Sequence, residues 1–313
     1  MTLFSNNHQQ RWTIVQISDT HLMNQEDLEF VHMNPERSFH AVMHDIQQQY
    51  PQLDAIFHTG DLAQIPVAET YQRYLQFMQT LNTPHFQIPG NHDDAAVFPF
   101  HLQSNQVHAI ELGNWSVILL NTAVKGRIDG WMDAAQLQQL DQLLQQHAQQ
   151  QVIIACHHHP FDMQSHWIDQ HKLKNTEALI DVLARHNNVK LVLCGHVHQD
   201  SLNEWQGIQF YSTPSTCVQF KPHSQHFALG PEAPGYRVLH LNADGSFSTQ
   251  VHRVEHVTQQ INFEISGYYL SILFFLLYFM PSTKKCDNTS KHQRLSIIKK
   301  SLYDDVPRRE NSF

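Results

Sequence analysis

Five short clusters of polar side chains each stand directly behind an apolar run. "QISDTH" carries Asp19 and His21, "HTGDLA" carries Asp61, and "IPGNHDD" carries Asn91 and His92. "ACHHHP" carries His157, and "LCGHVHQ" carries His196 and His198. Asp19 and His21, like His196 and His198, are two apart, so in an extended segment both members of a pair face the same side and converge on one point. Imidazole nitrogen with carboxylate or amide oxygen is a borderline-to-hard ligand set that suits Fe, Mn, Co or Zn, whereas an all-oxygen set suits Mg or Ca. One carboxylate can bridge two cations. Two ions roughly 3.5–4 Å apart clamp the attacking and leaving oxygens of a phosphoryl displacement and make hydroxide available near neutral pH. Any one of these motifs alone reads as a surface turn; the ordered set of five reads as a dinuclear site for phosphoester hydrolysis.

Positioning such a set requires strands that end together. Apolar runs rich in β-branched residues predict strands over 12–18, 54–59, 85–90, 115–121, 151–156, 190–195, 208–213 and 236–241. Leucines and other apolar residues at three- and four-residue spacing predict helices over 35–50, 67–82, 133–149 and 174–186. The alternation is α/β, and open α/β sheets gather ligand-binding groups at the strand ends. The glycines of "GD", "GN" and "GH" permit the sharp turns that bring ligands close to metal. Glutamine-rich stretches such as "LQQLDQLLQQHAQQQ" keep leucines at helical positions and read as amphipathic helix, not low complexity.

Charge is uneven along the 313 residues. Residues 281–313 hold eight Lys and Arg against four Asp and Glu, leaving 12 against 25 in residues 1–280, so the body carries about −13 and the tail about +4. Such a body repels a polyanion, which argues against nucleic acid as partner and leaves metals to attract any phosphate. Cys156, Cys194, Cys217 and Cys286 show no CxxC pattern, and no signal peptide precedes "RWTIVQISDTH", so a reduced, cytoplasmic protein is expected. Cys156 and Cys194, each ending an apolar run, read as buried thiols outside the site. The stretch "SGYYLSILFFLLYFMP" (266–281) is shorter than the roughly 20 residues of a membrane-spanning helix. It reads equally as a membrane-surface contact, a segment packed on the body, or an extension without function. The expected division is a catalytic domain over 1–260 and an apolar segment with basic tail over 261–313.

The ordered blocks Asp-x-His, Gly-Asp, Gly-Asn-His-Asp, His and Gly-His-x-His resemble the calcineurin-like metallophosphoesterase superfamily. "SHWIDQHKLKN" (165–175), "LVLCGHVHQ" (191–199) and "STPSTCVQFKP" (212–222) look like the bacterial class III cyclic-AMP phosphodiesterases, and the likeness runs from about residue 11 to about 255. The resemblance implies a four-layer αββα sandwich with two mixed β-sheets flanked by helices. It implies that Asp19, His21 and His198 hold one divalent metal ion, that Asn91, His157 and His196 hold a second, and that Asp61 bridges them. Within "CHHHP" the family's first histidine matches His157, with His158 as fallback and His159 outside the site. The implied reaction is hydrolysis of 3′,5′-cyclic AMP to 5′-AMP, with His21, Asp61, Asn91, His92, His157 and His198 facing the substrate and His92 protonating the leaving oxygen. Some relatives orient that histidine with an aspartate three residues after the bridging one; here the position is Gln64, so the orienting partner is unassigned, with Asp93 a candidate. Residues 212–222, with Cys217, Phe220 and Lys221, are expected to shape the nucleotide pocket. The rival readings are a phosphoesterase of the same fold acting on a nucleoside diphosphate derivative or a lipid-linked pyrophosphate, and a noncatalytic scaffold, against which the complete ligand set speaks.

Overall fold

A computed structural model of the chain describes residues 11–99, 107–255, 257 and 261–263. Two mixed sheets stack face to face. The first runs β13-β12-β1-β2-β3, built from β1 (Arg11–Ile17), β2 (Ala55–His58), β3 (His85–Gln87), β12 (Gly235–Asn242) and β13 (Phe247–Arg253). The second runs β4-β5-β6-β7-β9-β8, built from β4 (His108–Leu112), β5 (Trp115–Leu119), β6 (Gln151–Ala155), β7 (Val189–Cys194), β8 (Ser201–Trp205) and β9 (Ile208–Ser212). A two-stranded ribbon, β10 (Gln219–Phe220) with β11 (Leu229–Gly230), stands apart from both. The helices are α1 (Pro35–Gln49), α2 (Ala68–Gln79), α3 (Ala134–Gln146), α4 (His166–Asp169) and α5 (Thr176–Leu183).

Strand pleating sorts the side chains into layers. On β1, Trp12 and Ile14 join Phe57, Trp115, Val117, Leu191 and Leu193 in the core between the sheets, whereas Val15 and Ile17 face outward onto Phe39, Val42, Met43, Tyr71 and Tyr74 of α1 and α2. The outer face of the second sheet packs Ile118, Ile154 and Val192 against Leu140 and Leu144 of α3 and Leu179 and Val182 of α5. Three apolar layers between four layers of elements give the αββα sandwich.

The eight expected strands and four expected helices are all present, with ends that differ by up to three residues. Strands β4, β8, β10, β11 and β13 and helix α4 were not expected. In β8 (SLNEW) and β13 (FSTQVHR) polar residues interrupt the apolar ones and the strands lie at sheet edges, so neither is a continuous apolar run. The apolar stretch 266–281 and the basic tail lie outside the described residues. Among the described residues no helix is long and apolar enough to cross a membrane.

Candidate metal centre

The core strands β1, β2, β3, β6 and β7 end beneath one site. β1 stops at Ile17 and β7 at Cys194, so Asp19, His21, His196 and His198 lie in the loops beyond, not on extended strand as their spacing suggested. Convergence comes instead from left-handed backbone: φ is +55° at Asp19, +50° at His21, +53° at Asp61, +68° at His196 and +50° at His198. For residues with a Cβ this conformation is disfavoured and persists only where the surroundings enforce it, as at functional sites. Backbone ties enforce it here. Asp19 N–H donates to the Gly60 carbonyl and His21 N–H to the Asp61 carbonyl (both 3.0 Å), while the Asp19 carboxylate accepts the His196 N–H at 3.0 and 3.2 Å.

The motif glycines act in two ways. Gly60 alone among those of "GD", "GN" and "GH" has positive φ, +98°. Gly90 and Gly195 have ordinary backbone; what matters is the missing side chain, because a Cβ would lie 2.1 Å from Asp61 Oδ1 at Gly90 and 2.0 Å from Ser18 Oγ at Gly195.

The hydrogen bonds fix which imidazole nitrogens face the centre. His157 Nδ1 donates to the Thr59 carbonyl (2.7 Å), which leaves Nε2 facing the centre, 3.2 Å from Asn91 Oδ1 and 3.4 Å from Asp61 Oδ2. His198 Nδ1 donates to the Val218 carbonyl (2.7 Å), and its Nε2 lies 3.3 Å from Asp19 Oδ1. His21 Nε2 stands 3.9 Å from Asp61 Oδ2, which puts one Asp61 oxygen near both His21 and His157. Buried His196 Nε2 has no hydrogen-bond partner among the described residues. Acceptors facing acceptors in a buried space are what a cation satisfies. Ligand atoms of Asp19, His21 and His198, and of Asp19, Asp61 and His157, each lie within 4.8 Å of one another. The donor set therefore fits divalent metal.

Electrostatics among the protein groups agree. Burial lowers His21 to about 3 and holds His196 well below the ordinary imidazole value. Burial opposes charge on His157 too, but the Asp61 and Asp19 carboxylates push it up to about 9. Asp61, despite its burial, stays well below the usual carboxylate range beside His157 and His92.

The remaining site residues divide. His92 is half-buried beside the centre, its ring edge-on to that of His21 at 5.0 Å, and its N–H donates to Asp61 Oδ1 at 2.8 Å. His158 Nε2 donates to the Ile128 carbonyl and its Nδ1 meets Thr122 Oγ1 at 2.8 Å, so both ring nitrogens already have protein partners. His159, whose place outside the ligand set suggests a solvated or hydrogen-bonded ring, is instead buried and stacked on His196, with no hydrogen-bond partner among the described residues. Gln64 Oε1 accepts from His21 Nδ1 (2.8 Å), so Gln64 orients that ring. Asp93 anchors the backbone around the site. Its carboxylate accepts from Gly90, Leu62 and Ala63 N–H and from the Tyr71 hydroxyl, tying the turn after β3 to the Asp61 loop. Cys156, Cys194 and Cys217 are buried free thiols, and burial pushes Cys156 and Cys217 up to about 12.

The calcineurin-like phosphoesterase family model matches residues 13–200, which contain Asp19, His21, Asp61, Asn91, His92, His157, His196 and His198. The chain belongs to that family. It is 38% identical over 259 residues to the 3′,5′-cyclic adenosine monophosphate phosphodiesterase CpdA of Haemophilus influenzae, spanning 82% of this chain and 94% of the relative. It is 37% identical over 262 residues to the protein of the same name from Escherichia coli, spanning 82% and 95%. Among solved structures, a dimetal phosphatase from Danio rerio superposes with a TM-score of 0.55 at 16% identity, covering 79% of this chain and all of that one, which shows a shared fold.

Several residues that shape this calcineurin-like site had no signal in the sequence. The Thr59 and Val218 carbonyls that hold His157 and His198 are backbone atoms. Phe220, expected to line a nucleotide pocket, stacks face to face on His198 at 3.9 Å, and Lys221 is exposed.

Proposed function

We propose that the chain hydrolyses 3′,5′-cyclic AMP to 5′-AMP at two divalent metal ions, drawn from Fe, Mn, Co and Zn. The observation that carries the reading is the buried cluster of imidazole nitrogens and carboxylate oxygens at the strand ends, with Asp61 Oδ2 near both His21 and His157. Asp19, His21 and His198 hold one ion, Asn91, His157 and His196 hold the other, and Asp61 bridges them. When bound, the ions polarise the phosphoryl oxygens and activate water. The choice of cyclic AMP is supported by the relatives' named activity over nearly their whole length.

The protein groups do the rest. Asp61 accepts the His92 N–H through Oδ1 while its Oδ2 faces the ligand histidines, so one carboxylate couples the position of His92 to that of the metals. In this reading His92 stands at the phosphate and donates its proton to O3′ as the P–O3′ bond breaks and the oxygen of water joins phosphorus, the proton given up by that water passing to solvent, from which His92 is reprotonated. Burial lowers His92 below its ordinary value; the bound phosphate anion must favour the imidazolium for it to act as acid. The site residues lie between 19 and 198, so residues 1–260 suffice for catalysis in this reading, and a chain ending at residue 267 should remain active. The acidic body and the free thiols fit a cytoplasmic enzyme of a small anionic substrate.

The test is purified protein loaded with Mn²⁺, cyclic AMP as substrate, and chromatographic separation of 5′-AMP from 3′-AMP. Release of 5′-AMP is expected, with two metals per chain and loss of both metal and activity in Asp61→Ala. Hydrolysis of nucleoside diphosphate derivatives or lipid-linked pyrophosphate in preference to cyclic AMP would replace the substrate assignment. A fully active, metal-replete Asp61→Ala would remove the dinuclear mechanism.

A further inference from the structure

We infer that residues 165–171, which contain α4, are a positioning element that holds the two histidines of "GHVH" through separate relays, one to each metal. The inference rests on the metal assignment proposed above. The first relay is aromatic. Trp167 packs edge-on against Phe220 with ring centroids 4.9 Å apart, and Phe220 lies flat on His198, centroids 3.9 Å apart and planes within 9°. The hydrogen bond from His198 Nδ1 to the Val218 carbonyl fixes one point of that ring. By itself it leaves the imidazole able to rock about the Nδ1–O line, which swings Nε2 off the metal. A flat aromatic face removes that freedom, and Trp167, which also meets Phe227 at 5.1 Å, keeps Phe220 in place.

The second relay runs through His159. This ring is buried, and neither of its nitrogens has a hydrogen-bond partner among the described residues. Burying an imidazole unsatisfied is costly and asks for an explanation. Its neighbours supply one: His159 stacks on His196, centroids 5.6 Å apart and planes within 23°, and its Nε2 lies 3.7 Å from Asp169 Oδ1. Asp169 is itself fixed, accepting the Met163 N–H at 2.6 Å and the Ser165 N–H at 3.1 Å. Ser165 Oγ accepts the Ser224 N–H at 3.1 Å, which joins the segment to the loop beyond Phe220. One short segment thus presses on a ligand of each metal from behind. Phe220 and His159 stand one contact behind the ligands, where partners set ligand orientation and commonly govern affinity by about 10–100-fold, and the segment acts through them.

The experiment uses the full chain, with cobalt as probe. Co²⁺ affinity is read by chelator competition, coordination by the visible spectrum, and stability by the melting temperature with and without metal. Trp167→Leu and His159→Leu keep most of the buried volume but remove the ring face. Each is expected to weaken one of the two cobalt ions by about 10–100-fold, to alter its spectral band, and to shrink the metal-induced rise in melting temperature. Trp167→Phe and His159→Phe should restore most of the affinity, since a ring face returns. Wild-type cobalt affinity and spectra in both leucine variants would overturn the inference. So would equal losses in metal-free and metal-bound melting temperature, or failure of the leucine variants to fold, because the segment would then serve packing alone. His198→Ala separates the two readings: if it still binds two cobalt ions, the metal assignment falls; if it binds one and Trp167→Leu binds two normally, the positioning role falls.

Discussion

His21 Nε2 and His198 Nε2 stand 3.1 Å apart, and neither donates a proton to the other. Each ring commits its Nδ1 proton elsewhere, His21 to Gln64 Oε1 and His198 to the Val218 carbonyl, so two acceptor lone pairs converge with Asp19 Oδ1 beside them. Burial lowers His21 to about 3, which opposes a proton on its Nε2. Gln64 therefore sets the tautomer on which the site depends. Gln64→Leu should weaken the metal at this pair by about 10–100-fold, leaving the metal near His157 in place. Chelator competition with Mn²⁺ measures it, and unchanged affinity would mean that something other than Gln64 holds the His21 ring.

Gly90 is required for space, not for backbone freedom. A Cβ there would lie 2.1 Å from Asp61 Oδ1 and 2.5 Å from Asp61 N, so the bridging residue itself must move. Gly90→Ala should cost about 1–3 kcal/mol of stability, as overpacking does, and reduce bound metal. Gly126→Ala is the contrast. Its φ of +77° strains an alanine, but nothing lies within 4 Å of the new methyl, so metal content should be untouched. Calorimetry with metal analysis compares the two; equal metal content in both would show that the Asp61 loop yields without loss.

The layers and the ligand side chains were legible because each leaves a local mark. Ile14 and Val15 on β1 announce two buried faces, and imidazoles and carboxylates behind five such runs announce a cation. What was not legible depends on residues distant in the chain. Nothing around His198 announces the Val218 carbonyl or the face of Phe220, and nothing in "CHHHP" says that His158 is held by Thr122 while His159 is packed on His196. The pairing of Gln64 with His21 was missed for a related reason: position 64 was considered only as a partner for His92, and the fold turns it to the other histidine. The spacing of Asp19 and His21 gave the right convergence by the wrong geometry, since left-handed turn residues, not a pleated strand, bring the side chains together.

The His157 and Asp61 pair predicts proton release on metal loading. Without metal the imidazolium is favoured up to about pH 9, against 6.5 for an unperturbed ring. This raised value stabilises the metal-free fold fully below about 6.5, and the contribution is lost as pH rises through about 9. A ligand must be neutral at Nε2, so binding near pH 7.5 should expel about one proton from this group, and affinity should rise up to about tenfold per pH unit until about 9. Titration calorimetry in two buffers of different ionisation enthalpy counts the protons. Asp61→Asn should abolish the release even where some metal still binds. No release in the unmodified protein would contradict the pairing of His157 with Asp61.

His92 meets Asp61 through its backbone, by an N–H to Oδ1 contact of 2.8 Å, and a ring nitrogen lies within 4.8 Å of ligand atoms of Asp61 and His21. Its imidazole stands edge-on to His21 at 5.0 Å, at the border of the cluster. Replacing the side chain leaves that backbone contact available, so His92→Ala should retain nearly all of its metal. The leaving group then decides the size of the effect. O3′ of ribose departs as a strongly basic alkoxide that needs a proton in the transition state, whereas p-nitrophenolate departs without one. Cyclic-AMP hydrolysis should fall by about 10²–10⁴, the range of a lost general acid, while hydrolysis of bis-p-nitrophenyl phosphate falls much less. A damaged metal site would slow both substrates together, so the ratio isolates proton donation. Equal losses on the two substrates, with metal content intact, would assign His92 to holding the phosphate and leave the proton to come from a water molecule.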